Sequence, residues 1–188
     1  NVEERATGEL QLSAGFSSVE NFILQASIRQ RNFRGKGQEL RASVSYSNFS
    51  QSIELGFTEP YLFDRNIAVG VDVFRRDLNS FGFGNTGNRR TTFEQKTTGF
   101  QVRAGVPITE YFSASLRYGL SFDDVTLDRG LFFTDLDGDG IFGNSPNDVC
   151  NPLSAGRFLC DAIGKRTTSS LGASLIYDDR NSRIRPTK

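Results

Sequence analysis

Histidine, methionine and tryptophan are absent from the 188 residues, and only two cysteines and five prolines occur. Without histidine, neither a Ser-His-Asp nor a Cys-His arrangement can be assembled, and no glycine-rich phosphate loop is present. No catalytic residue is expected. Charge of one sign is lacking too: 22 basic and 22 acidic residues cancel, which removes the electrostatic footprint of a nucleic-acid binder. Long apolar runs are missing as well. No stretch approaches the roughly 18 apolar residues of a transmembrane helix, and mean hydropathy is -0.39. A transmembrane β-barrel needs no such run, because its lipid-facing and lumen-facing residues alternate and their hydropathies cancel. An initiator methionine and a signal peptide are also absent, so the sequence is expected to be a piece of a processed chain.

What is present is alternation, in a chain with 19 glycines and 17 phenylalanines. Thr7 to Phe16 sets Leu10, Leu12, Ala14 and Phe16 against Glu9, Gln11, Ser13 and Gly15, the period of a strand with one apolar face. Phe22 to Ile28, Leu40 to Tyr46, Ile53 to Phe57, Ile67 to Val73, Phe100 to Val106, Phe112 to Phe122 and Leu171 to Tyr177 repeat the pattern. Eight strands are predicted. Gly35 and Gly37, Asn48 to Ser50, and Pro107 to Glu110 mark short turns between them. Arg75 to Arg90 is predicted as a longer loop, with Gly82, Gly84, Asn85, Gly87 and Asn88 as its turn formers, and Asp123 to Arg166 as the longest insertion.

A soluble β-sandwich also alternates, but its apolar faces must meet in a core. Here the apolar phase mixes small Ala with Leu and Val. Aromatics at Phe16, Tyr46, Phe57, Phe112, Phe122 and Tyr177 gather at strand ends, as interfacial girdles do. Most mid-strand charges (Arg29, Arg41, Glu54, Asp72, Arg103, Arg117) fall in the opposite phase. A charge turned to the bilayer midplane costs about 2 to 4 kcal/mol, so the register should be strongly specified. The expected fold class is all-β, an antiparallel transmembrane sheet. Glu94 and Lys96 share the lipid-facing phase but sit at its loop end, where they would project above the bilayer.

The segment Gln51 to Asn66 runs from a strand into a turn, and Pro60, with no N–H to donate, stops the ladder. Within it, Gly56-Phe57-Thr58-Glu59-Pro60-Tyr61-Leu62-Phe63-Asp64 resembles the strand-end and periplasmic-turn signature of the BamA (YaeT) family of outer-membrane β-barrel assembly factors. Glu4-Arg5-Ala6-Thr7-Gly8 resembles the join between the last periplasmic POTRA domain and the first barrel strand. Tyr177-Asp178-Asp179-Arg180-Asn181, followed by Pro186-Thr187-Lys188, resembles the turn after the eighth strand. The resemblance implies residues 1–6 as a linker and 7–188 as about eight of roughly sixteen barrel strands, with residues 123–166 as a long extracellular loop. It also implies a Gram-negative outer-membrane location, with short turns periplasmic. The implied activity is folding and inserting other barrel proteins, and the implied partners are the bilayer, unfolded clients, accessory lipoproteins and the other half of the barrel. Barrels that secrete a polypeptide and passive porins share these strand patterns and remain open.

Three local features carry candidate sites. Thr7, Gly8, Glu9, Leu10, Gln11, Leu12, Ser13, Ala14, Gly15 and Phe16 have no upstream strand in this chain, so their outer edge is unpaired. By the resemblance it is the client-strand edge of a lateral gate, and as a fragment the chain is expected to self-associate through its open edges. Asp135, Asp137 and Asp139 alternate as calcium-loop oxygens do, with Gly140 sixth, but Pro146 stands twelfth where such loops carry Glu. An ordinary solvated turn has the same composition; a structural calcium is the one cofactor this pattern allows. Cys150 and Cys160 would close a small loop in an oxidising compartment, contributing roughly 2 to 3 kcal/mol, or remain thiols in a reducing one.

Overall fold

The computed structural model describes residues 7–18, 20–83, 89–136, 138, 140–141 and 148–179. Among them the strands are β1 (Gly8–Ser17), β2 (Asn21–Phe33), β3 (Gln38–Tyr46), β4 (Ser50–Glu59), β5 (Ala68–Phe83), β6 (Arg89–Pro107), β7 (Phe112–Leu127) and β8 (Gly164–Tyr177). They form one eight-stranded sheet in the order of the sequence, and every adjacent pair is antiparallel. Hairpins suffice to connect such a meander, which is why the connections can be short.

Register carries the sequence pattern across the whole sheet. Leu12 faces Ala26, Ala26 faces Val44, and Val44 faces Ile53. Leu55 then faces Val73, Val73 faces Phe100, and Phe100 faces Leu120. Leu116 closes the series on Ala173. A one-residue slip at any seam would turn the rest of the sheet inside out. The resulting apolar face is uncovered: Leu12 is 70% exposed and Leu171 73%. Within the strands the buried residues Gly56, Gly70, Asp72, Gly99, Asp123, Val125 and Leu127 all occupy the opposite, inner phase. From Phe112 to Phe122 the apolar phase of β7 covers about 34 Å of strand, or roughly 25 Å of height at a barrel's tilt. That height matches the apolar band of an outer-membrane barrel. At its lower end the Phe112 and Tyr177 rings pack 5.1 Å apart.

Two expected loops are shorter than their composition suggested. Arg75 to Phe83 continues β5, and β6 begins at Arg89, so Arg75 to Arg90 is mostly hairpin; Gly84, Asn85, Gly87 and Asn88 lie outside the described residues. β7 runs on to Leu127 and β8 starts at Gly164, which reduces the 123–166 insertion to 128–163. The cause is common to both. Beyond the bilayer a strand has no lipid to face, so its outer phase turns polar while its ladder continues. The remaining insertion contains short helices α1 (Arg129–Phe132), α2 (Pro152–Ala155) and α3 (Arg157–Ala162), with Asp128 accepting from Gly130 N–H and Asn151 from Leu153 N–H at the N-termini of α1 and α2. The linker residues 1–6 and the turn beyond Asp179 lie outside the described residues.

Candidate functional site

The open edge of β1 can be specified group by group. Arg31 N–H donates to the Thr7 carbonyl at 2.9 Å, so Thr7 and Arg31 form a hydrogen-bonded pair. In an antiparallel ladder such pairs alternate with non-bonded ones. Glu9, Gln11, Ser13, Gly15 and Ser17 therefore spend their backbone groups on β2. Gly8, Leu10, Leu12, Ala14 and Phe16 point their N–H and C=O away from the sheet. At the other margin Asp178 N–H donates to the Tyr111 carbonyl at 2.9 Å, and the same alternation leaves Lys165, Thr167, Ser169, Leu171, Ala173, Leu175 and Tyr177 open on β8. On both margins the open backbone groups belong to residues of the outer phase. An incoming strand would meet main-chain donors and acceptors framed by apolar side chains along β1 and along Leu171 to Tyr177 of β8.

The turn motif does structural work on both faces. Gly56 lies between Arg41 and Asp72 on one rung, and Gly70 lies between Thr58 and Arg103 on the next. Arg41 crosses Gly56 to donate to Asp72 Oδ1 at 2.6 Å. Arg103 crosses Gly70, its Nη2 donating to Thr58 Oγ1 at 3.0 Å while Nη1 pairs with Asp72 Oδ2. A Cβ on Gly56 would lie 2.5 Å from Arg41 Nε and 2.6 Å from Asp72 Oδ1, and one on Gly70 would lie 2.6 Å from Arg103 Nε. These glycines are the floor on which the arginines lie. Phe57 points outward. Glu59 clamps the turn, accepting from Gln38 Nε2 at 2.5 Å and from Tyr61 N–H at 3.2 Å, and Pro60 lies 3.7 Å from a Cβ built on Gly37 in the neighbouring turn. Further ion pairs line the same inner wall: Arg29 with Glu39 at 2.8 Å and Arg76 with Glu54 at 3.2 Å. Sequence reading placed these charges in one phase but not in one cluster. Two mid-strand glycines were the available signal, since a glycine inside a strand marks a close approach.

At the loop end Cys150 and Cys160 are disulfide-bonded, closing a ring that contains α2 and most of α3. Leu136 N–H donates to Asp148 Oδ1 at 3.0 Å, and Phe133 bridges Cys150. Asp135 accepts from Gly138 N–H at 2.7 Å and from Gly140 N–H at 2.8 Å, one on each carboxylate oxygen. Asp137 and Asp139 lie outside the described residues. Among the described residues no three carboxylates or thiols gather as a metal site.

The Omp85 superfamily domain matches residues 32–188. This chain belongs to the Omp85 superfamily. Among its relatives, the outer membrane protein assembly factor BamA of Neisseria meningitidis serogroup B is 28% identical over 127 residues, covering 68% of this chain and 15% of that protein. BamA of Nitratidesulfovibrio vulgaris is 24% identical over 187 residues, covering 100% of this chain and 20% of that protein. The chain thus spans a fifth or less of the length of these relatives. The fold agrees with a crystal structure of BamA from Haemophilus ducreyi lacking POTRA domains 1–3, at a TM-score of 0.59 and 22% identity over 98% of this chain and 32% of that one. The eight Omp85 strands are consistent with half of an outer-membrane β-barrel. The two relatives are named as assembly factors rather than enzymes.

Proposed function

We propose that this chain forms the first half of the barrel wall of an assembly factor that folds and inserts other β-barrel proteins into the outer membrane. β1 acts as the template. A client strand adds to the edge of Gly8, Leu10, Leu12, Ala14 and Phe16, where main-chain hydrogen bonds provide affinity and tolerate many client sequences. In lipid an unpaired backbone group costs several kcal/mol, so each bond the client forms there is a driving force and no nucleotide is required. The short turns 34–37, 60–67 and 108–111 face the periplasm, and loop 128–163 faces outward. The second half of the barrel, upstream POTRA domains and accessory lipoproteins complete the machine. The observation that supports this reading is the register of β1, which turns the backbone groups of those five residues away from β2.

Proline tests it in the full-length parent protein. Leu12→Pro removes an N–H that faces the open side, whereas Ser13→Pro removes one bonded to β2. Leu12→Pro is expected to fold, judged by heat-modifiable gel mobility, yet to lose client insertion when it replaces the wild-type protein in cells. A folded Leu12→Pro protein that inserts clients at the wild-type rate would sink the template reading. The calcium reading of Asp135, Asp137 and Asp139 stands beside this one as a separate proposal. A calorimetric titration with millimolar calcium should give heat that Asp137→Asn abolishes, and no heat in the wild type ends it.

A further inference from the structure

The outer phase of β5–β8 changes character within one or two residues of the apolar band. Val73 is followed in that phase by Arg75 and Asp77, Phe122 by Asp124, and Phe100 is preceded by Thr98 and Lys96. Strand register aligns Asp77, Lys96, Asp124 and Lys165 as neighbours on one rung, with the sign alternating at each step. Lys96 on the rung and Arg75, one outer-phase step nearer the apolar band, are loosely held. Arg75 Nε lies 3.3 Å from Asp77 and Lys96 Nζ lies 3.4 Å from Glu94, and the Arg75 and Lys96 side chains are 56% and 49% exposed. Lys165 makes no ion pair among the described residues. The row continues the lipid-facing surface upward without a break, so headgroups, not bulk water alone, are what it meets.

We propose that this rung binds phosphate-bearing lipid headgroups of the leaflet at the loop end. Lys96 and Lys165, with Arg75 one step below them, take the phosphates, and Asp77 and Asp124 take the ammonium groups or divalent cations that travel with them. Two features favour lipid over any other occupant: continuity with the apolar band, and a charge pattern that is balanced and alternating like a headgroup layer. A uniformly basic patch would draw any polyanion, and this row does not offer one. The inference rests on the outer face lying in lipid and is independent of client insertion, so the two readings can fail separately.

The test uses the full-length protein in nanodiscs of phosphatidylcholine containing phosphatidic acid and magnesium, with retained lipid read by native mass spectrometry. Wild type should retain phosphatidic acid over phosphatidylcholine, and Arg75→Gln/Lys96→Gln/Lys165→Gln should lower that retention by about threefold or more. Arg75→Lys/Lys96→Arg/Lys165→Arg should keep it, and so should Arg76→Gln on the inner wall. Lys165→Gln alone, which leaves the Arg75 and Lys96 pairs intact, should give a smaller loss in the same direction. Unchanged retention in the triple and single variants, or an equal fall with Arg76→Gln, overturns the proposal. So does displacement of the bound lipid by excess inorganic phosphate, which would mean a free anion is preferred.

Discussion

Asp72 is the residue on which the inner wall turns. Its side chain is 7% exposed, while Arg41 and Arg103 are 37% and 33% exposed, so the carboxylate is the desolvated member of the cluster. Removing it leaves two guanidinium groups near each other without a counter-charge. Asp72→Ala should therefore cost about 2 kcal/mol, less than a fully buried pair because both arginines still reach water. Gly56→Val should cost a similar amount by another route, since its new side chain occupies the path Arg41 takes to Asp72. Both changes disrupt one cluster, so the double variant should lose clearly less than the sum of the two. Urea unfolding of the full-length protein in bilayers gives all three values. Strict additivity would mean that Gly56 and Asp72 act independently and that the close packing across the glycine carries no weight.

At the scale of elements, the apolar phase was legible in the sequence wherever a strand meets lipid, and it failed wherever a strand leaves it. Leu10 to Phe16 and Phe112 to Phe122 could be assigned because one side of each must be apolar. Arg75 to Phe83 could not, because above the bilayer polar residues on both faces are as stable as a loop. The Arg41–Asp72–Arg103 cluster was hidden for a different reason: it depends on cross-strand register, which no single segment encodes. The disulfide followed from two cysteines ten positions apart in a loop too polar to hold a core. Cys150→Ser/Cys160→Ser should accordingly act locally. The ring should lose about 2 to 3 kcal/mol of stability, and limited proteolysis should cut within 150–163 while β7 and β8 survive. Loss of the whole barrel on reduction would show that loop 128–163 supports the sheet instead of resting on it.

For the whole molecule, the two margins dictate what the isolated chain can do. Among the described residues, five of β1 and seven of β8 present open backbone groups, and a bilayer or micelle interior offers them no water. One solution closes β1 onto β8 within a single copy. An eight-stranded barrel has an interior only just wide enough for side chains, and this inner wall carries Arg41 on β3, Phe74 on β5, Arg103 on β6 and Arg117 on β7. Those side chains crowd a narrow bore. The other solution pairs β1 of one copy with β8 of a second, and twice over, which keeps the gentle curvature and closes a symmetric ring with no edge remaining. The isolated chain in detergent should therefore run at twice its monomer mass by light scattering, and cysteines at Leu12 and Ala173 should cross-link between copies. A monomer with β1 protected from hydrogen exchange would mean that the sheet curls tighter than its inner arginines favour. Asp72→Ala should then change the oligomeric state as well as the stability.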